Sequence, residues 1–213
     1  MLLYHLDRGH SLKEGMQINL KNGSQALSNV ENSHFISLFT DGFSSFGLDI
    51  LCNTCSIIPT FFDRSGDSPF INVGNLFKIK GQVDIKLIEF IFELVRRLYF
   101  SHYPSRFQSL FAVDSVKEFH RWPELLDGKA KTFSLIDYDV YEISVSDNIP
   151  AFDSSWLRGG IAAGIDKGLF FYGVKIDSLF DVAYHYWNRD FTEEPRLEYL
   201  VKLPIRVGRK VIP

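Results

Sequence analysis

The stretch Tyr103-Pro104-Ser105-Arg106-Phe107-Gln108-Ser109-Leu110-Phe111-Ala112-Val113 constrains the fold more than any other part of the chain. A helix-like segment runs into it. Pro104 must end that helix, because proline has no N–H for the next backbone bond and pushes its neighbour towards extended geometry. Ser109 to Val113 then reads as a short, mostly apolar, buried strand. Arg106 stands at the mouth of that strand, where a guanidinium is costly unless it meets an anion. The anion is either the carboxylate of a nearby Asp or Glu or a group on a bound ligand.

The segment before Pro104 carries the clearest helical period. Over Val83 to Phe100, Ile88, Ile91, Phe92, Val95, Leu98 and Tyr99 fall at three- and four-residue steps and predict one apolar stripe. Asp84 near its start and Arg96-Arg97 near its end suit the helix dipole. Leu2 to Leu6 predicts a short first strand in which His5 alternates with Tyr4 and Leu6. Gly15 to Leu20 reads as a second short strand. Downstream, Asp114 is placed to cap a short helix running to Trp122-Pro123. Asp139 to Val145 alternates as a strand, and Asp153 to Arg158 reads as a turn or short helix. Ser178 to Asn188 reads as a helix, with Leu179, Val182, Ala183, Tyr186 and Trp187 on one side. Leu197 to Val201 and Ile205 to Ile212 close the chain as strands around Pro204. Strands and helices in this irregular order predict an α+β fold. No GxGxxG or P-loop is present, which speaks against a doubly wound dinucleotide fold.

The 213 residues lie between one and two domains at about 150 residues each. No Pro-, Gly- or Ser-rich linker divides them, so a single domain over 1–213 is expected. An ordered insertion at about 21–80 carries Asn, Ser, Gly and Asp among phenylalanines and reads as a lid or target-facing flap, with a short helix over Asn32 to Leu38. Twenty phenylalanines predict a core of large rings and room for a stacking pocket. The net charge of −3 and the lack of a basic block exclude a general electrostatic grip on nucleic acid, leaving only a local patch. The first residues do not read as a secretory signal, and no apolar run reaches about 18 residues, so a cytoplasmic protein without a membrane span is expected. Cys52 and Cys55 form a lone Cys-Asn-Thr-Cys. Zinc would want two further ligands and a redox pair a strand-to-helix turn, and neither context is visible, so no metal site is expected.

Four pieces taken in order are similar to a known family: Tyr4-His5 on the first strand, Pro-Ser-Arg-Phe-Gln-Ser before the buried strand, Tyr186-Trp187 closing a helix, and Pro195-Arg196-Leu197-Glu198-Tyr199-Leu200-Val201 on a late strand. Outside 21–80 the chain resembles a family of small uncharacterised bacterial proteins with an ADP-ribosyltransferase-like fold, and also phage-defence toxins of toxin–antitoxin systems that modify nucleic acid. The resemblance implies a split antiparallel sheet around an NAD cleft with flanking helices. It implies Glu198 as the catalytic carboxylate, His5 on the nicotinamide-side ribose, Arg106 on the cofactor's phosphates and Ser109 bracing the cleft. Tyr4, Tyr186 and Trp187 are candidates to stack on nicotinamide, and core packing is the other role open to Tyr186 and Trp187. Arg196 stands where arginine-modifying members carry an acid or glutamine, so a protein arginine is not the expected acceptor.

These residue types suit the chemistry. Breaking the ribose–nicotinamide bond builds positive charge on the sugar, which a facing carboxylate stabilises. The resemblance therefore implies transfer of ADP-ribose to a macromolecular acceptor, RNA, DNA or protein, with an antitoxin or chaperone as a further partner. An NAD glycohydrolase and a binding module without turnover are the alternatives in the same fold.

Overall fold

The computed structural model describes residues 1–23, 37–52, 85–121, 138–157, 161–166, 169–174 and 176–211. The architecture is α+β, as expected, and antiparallel throughout. One sheet has the order β1-β4-β9-β2, from β1 (Leu2–Asp7), β2 (Gln17–Ile18), β4 (Asp139–Ser144) and β9 (Ile205–Val211). The second has the order β3-β8-β5, from β3 (Ser109–Ala112), β5 (Ala151–Asp153) and β8 (Leu197–Lys202). A separate hairpin pairs β6 (Ile161–Asp166) with β7 (Leu169–Val174). Among the described residues the α-helices are α1 (Ser45–Cys52), α2 (Ile85–Tyr99) and α3 (Ile176–Asn188).

Alternation along the strands builds three layers. Leu3 and Ile143 of the first sheet meet Ala112, Tyr199 and Val201 of the second, so the two sheets face each other. Residues of opposite parity on the second sheet, Leu200 of β8 and Phe152 of β5, point away from that interface. They pack against Ile88, Phe92 and Val95 of α2 and Leu179, Ala183, Tyr186 and Trp187 of α3. The layers run sheet, sheet, helix pair. The expected stripe of α2 is only half right. Leu98 and Tyr99 are exposed, while Glu89, Glu93 and Arg96 are buried beside Ile88, Phe92 and Val95. At 3.6 residues per turn, positions 89, 93 and 96 share the face of 88, 92 and 95.

Other boundaries shift for local reasons. The segment after Asp114 forms a 3-10 helix at Val116–Arg121, and Asp153 ends an edge strand before a 3-10 turn at Ser154–Trp156. The hairpin over 161–174 was not anticipated. Gly47 lets α1 press onto the Pro104 stretch: a Cβ there would fall 2.3 Å from the Phe107 carbonyl oxygen, which also accepts from Ser44 N–H at 2.8 Å. The expected helix over Asn32 to Leu38 falls almost wholly outside the described residues. Cys55, and the parts of the expected insertion at 24–36 and 53–80, fall outside them too.

Candidate functional site

The Pro104 stretch is held by a knot of charge at the end of α2. Arg96 donates to both oxygens of Glu93, at 2.9 and 2.8 Å, and to the Tyr103 carbonyl at 2.8 Å. Arg97 donates to Glu93 at 2.8 Å. Ser105 Oγ donates to Glu93 Oε2, also at 2.8 Å, and accepts from Phe107 N–H as the cap of the Arg106–Gln108 turn. Ser109 closes the turn: its hydroxyl donates to the Ser105 carbonyl at 2.7 Å and its N–H to the Arg106 carbonyl. Ser109 is thus a brace for the strand's start, with its polar atoms turned towards the protein.

This turn aims Arg106 under the second sheet. Its Nε and Nη2 donate to Glu89 Oε2 and Oε1 at 2.8 and 3.0 Å, a two-pronged pair with α2. Its Nη1 donates to Tyr186 Oη at 2.7 Å and to Glu198 Oε1. The Tyr186 hydroxyl in turn donates to Glu198 Oε1 at 2.6 Å. The guanidinium also lies 4.7 Å from the Phe111 ring centre. All four groups are buried, Glu198 to 2% exposure and Glu89 to 1%. Burial alone would lower the Arg106 pKa, but Glu198 and Glu89 outweigh it and hold the guanidinium well above its ordinary value. Burial pushes Glu89 upward, partly offset by Arg106, and pushes the Tyr186 phenol well up. Arg106 therefore meets protein carboxylates, and the expected phosphate contact gives way to an internal ion pair. Glu198 Oε1 takes two donors, while Oε2 has no partner among the described residues.

Tyr186 and Trp187 have no open ring face for a ligand. Tyr186 stacks on Phe152 at 5.1 Å, and Trp187 Nε1 donates to the Phe92 carbonyl at 2.7 Å inside the same cluster. Core packing replaces stacking on nicotinamide for both.

His5 and Tyr4 sit elsewhere, where β1 and β3 part. Tyr4 and Val113 exchange N–H···O bonds of 2.8 and 2.9 Å, the isolated bridge between the two strands. One step on, His5 Nδ1 is 2.7 Å from the Phe111 carbonyl oxygen, so a ring N–H stands in for the backbone donor that the parting strands no longer supply. A carbonyl only accepts, which places the hydrogen on Nδ1 and leaves Nε2 as an acceptor. The imidazole is half-buried, and that burial lowers its pKa. Met1 O accepts from Val145 of the β4 side while Tyr4 faces Val113, so strand alternation turns the Leu6 backbone towards the opening seam. Tyr4 is half-buried against Leu6, Val113 and Val140, on the face of β1 opposite Leu3. His5 shares the Leu3 side, between the sheets, whereas Glu198 lies on the helix side of the second sheet. His5 and the Arg106–Tyr186–Glu198 cluster thus lie at opposite faces of β3, and Tyr4, on the other face of β1 from His5, joins neither.

Sequence reasoning missed Glu89, Glu93 and Arg96. The available signal was charge at i, i+4 and i+7 inside an apolar helical stripe. It also missed Asp7 and Asp153. The buried Asp7 carboxylate accepts from the N–H groups of Gly9, Ser11 and Leu12 and fastens the loop beside His5. Asp153 accepts from Thr192 and Arg196 and fixes the approach to β8; those bonds outweigh burial and lower its pKa. A cavity of about 490 Å³ opens beside Tyr103, Pro104 and Lys202. Its wall includes Phe152, the register partner of Glu198, and Leu200, but none of the seven candidates.

A family model described as a protein of unknown function, DUF2441, matches residues 3–212. The chain belongs to the DUF2441 family. No curated protein matches it. The match spans both polar groups of this DUF2441 chain, from Tyr4 and His5 to Glu198. No helix among its described residues is long and apolar enough to cross a membrane.

Proposed function

We propose that this protein binds NAD and transfers ADP-ribose to a macromolecular acceptor, with an ADP-ribosyltransferase-like arrangement of its sheets. The observation that carries the reading is the half-committed carboxylate of Glu198. One oxygen is held by Arg106 and Tyr186, and the other, buried, lacks a donor among the described residues. A buried acceptor without a partner is costly, and a ligand hydroxyl is the kind of donor that would satisfy it. NAD would supply a ribose hydroxyl there and a bond whose cleavage develops positive charge beside the carboxylate. Arg106 and Tyr186 then serve to orient Glu198. At the seam, the neutral Nε2 of His5 accepts a hydroxyl proton. The Leu6 backbone offers a donor and an acceptor side by side, the pair a primary carboxamide requires. A toxin role in a bacterial defence system, with a neutralising partner in the cytoplasm, is the setting that the resemblance suggests.

The near-complete burial of Glu198 favours a second reading, a nucleotide-binding module without turnover. Incubation with NAD carrying a labelled adenylate separates the readings. Free nicotinamide with labelled RNA, DNA or protein supports transfer, and free nicotinamide without a labelled acceptor means hydrolysis. NAD binding by calorimetry without nicotinamide release means a binding module. Neither binding nor release would sink the proposal.

A further inference from the structure

The geometry points to Glu89 as a positioning residue that keeps Arg106 off the free oxygen of Glu198. The inference rests on the proposed function and deepens it. Arg106 is a planar fork facing two buried carboxylates. Glu89 takes Nε and Nη2 at 2.8 and 3.0 Å and leaves only Nη1 for the other side. Nη1 then meets Tyr186 Oη and Glu198 Oε1, and Oε2 of Glu198 stays uncommitted among the described residues. A guanidinium favours two parallel bonds to one carboxylate. Without the charge of Glu89, its released N–H groups are buried donors, and Glu198 Oε2 is a buried acceptor of the right charge nearby. The fork would close on Glu198 and occupy the oxygen assigned to the ligand.

The role explains a costly arrangement. Two carboxylates on one guanidinium bury a surplus negative charge, which a simple structural ion pair does not require. Glu93, one helical turn along, has two arginines of its own, Arg96 and Arg97, so it draws nothing from Arg106. Tyr186 cannot replace Glu89, because its hydroxyl already accepts from Arg106 and donates to Glu198.

The test is Glu89→Gln, which keeps size but puts an amide donor against the fork. Its crystal structure should show Arg106 bonded to both oxygens of Glu198, and nicotinamide release should fall about 100-fold, as misplacing a reacting group by an ångström does. A merely structural pair would lower the urea midpoint of Glu89→Gln and leave Oε2 of Glu198 open, whereas a positioning role brings Arg106 onto that oxygen. If Glu89→Gln does not fold, Glu89→Asp carries the test: it keeps a carboxylate on the fork, and its crystal structure should show Oε2 of Glu198 still open. Arg106 left in place with Oε2 open in Glu89→Gln, or closed onto Oε2 in Glu89→Asp, overturns the inference. The crystallographic result decides it even if the parent protein neither binds nor cleaves NAD, in which case only the proposed function fails.

Discussion

The helix-side centre around Arg106 and the seam at His5 deal with buried polar atoms in opposite ways. Around Arg106 nearly every donor is matched inside the protein, by Glu89, Tyr186 and Glu198, and the cluster is closed by Phe92, Phe152 and Trp187. At the seam a single ring nitrogen fills one vacancy, and the imidazole is only partly buried. A closed cluster can tolerate loss of one member only by leaving another group unpaired, whereas a half-open one can pass its freed atom to water. Sensitivity to mutation therefore reports framework on the helix side, and the proposed ligand contacts fall to the uncommitted atoms, Glu198 Oε2 and His5 Nε2.

The sharpest way to break that contrast is Arg106→Met. It leaves Glu89 and Glu198 facing each other without a cation, and unfolding free energy in urea should fall by about 3–5 kcal/mol. Arg106→Lys should recover part of this, since the charge returns without the fork. A Lys variant that melts like the parent but loses NAD affinity would return Arg106 to the role of a phosphate ligand.

The α+β class and most element positions were legible, because proline, helical period and strand alternation act locally. The partners of Arg106 were not, because they come from α2, α3 and β8, far apart in sequence. The need for an anion at Arg106 could be read from its place beside a buried strand, but which anion could not. Glu89 and Glu93 were hidden by their apolar neighbours: a stripe drawn through Ile88, Phe92 and Val95 passes over the charges beside them. Tyr186 and Trp187 were placed correctly on the inner side of their helix. Only the packing of α3 against Phe152 and Phe92 decides that this side is core. His5 was found as a strand residue, but its bond to Phe111 depends on where β1 and β3 part, which no local pattern encodes.

Glu198→Gln tests whether the helix-side centre is framework alone. The amide oxygen can keep the Tyr186 proton and Glu89 keeps Arg106, so the fold should survive. Nicotinamide release should nevertheless drop by about 100-fold, as for other lost electrostatic partners of a transition state. Unchanged release would make Glu198 purely structural and leave the seam as the better candidate.

The smallest effects belong to His5, and they sharpen the comparison most finely because the ring's two nitrogens can be separated. His5→Ala leaves the Phe111 carbonyl without its donor and should cost about 1–3 kcal/mol if water cannot replace the ring. His5→Asn puts an amide N–H near the position of Nδ1 and removes Nε2. It should restore stability while NAD affinity stays low. Stability and affinity recovering together would mean that Nε2 meets no ligand. The same pair predicts a pH signature. The folded pKa of His5 is lowered from its ordinary 6.5, by burial first, so the unfolded chain binds the proton more readily. The stabilisation is full above 6.5 and is lost as pH falls through the lowered folded value. Glu89 runs the other way: its pKa is raised from 4.5 by burial, so its contribution is full below 4.5 and is lost as pH rises through the raised value. Urea midpoints measured from pH 7.5 down to pH 5 should therefore fall more steeply for the parent than for His5→Asn, which has no imidazole to charge. Equal slopes would mean that the ring at the seam is solvated well enough to titrate as it does in the unfolded chain.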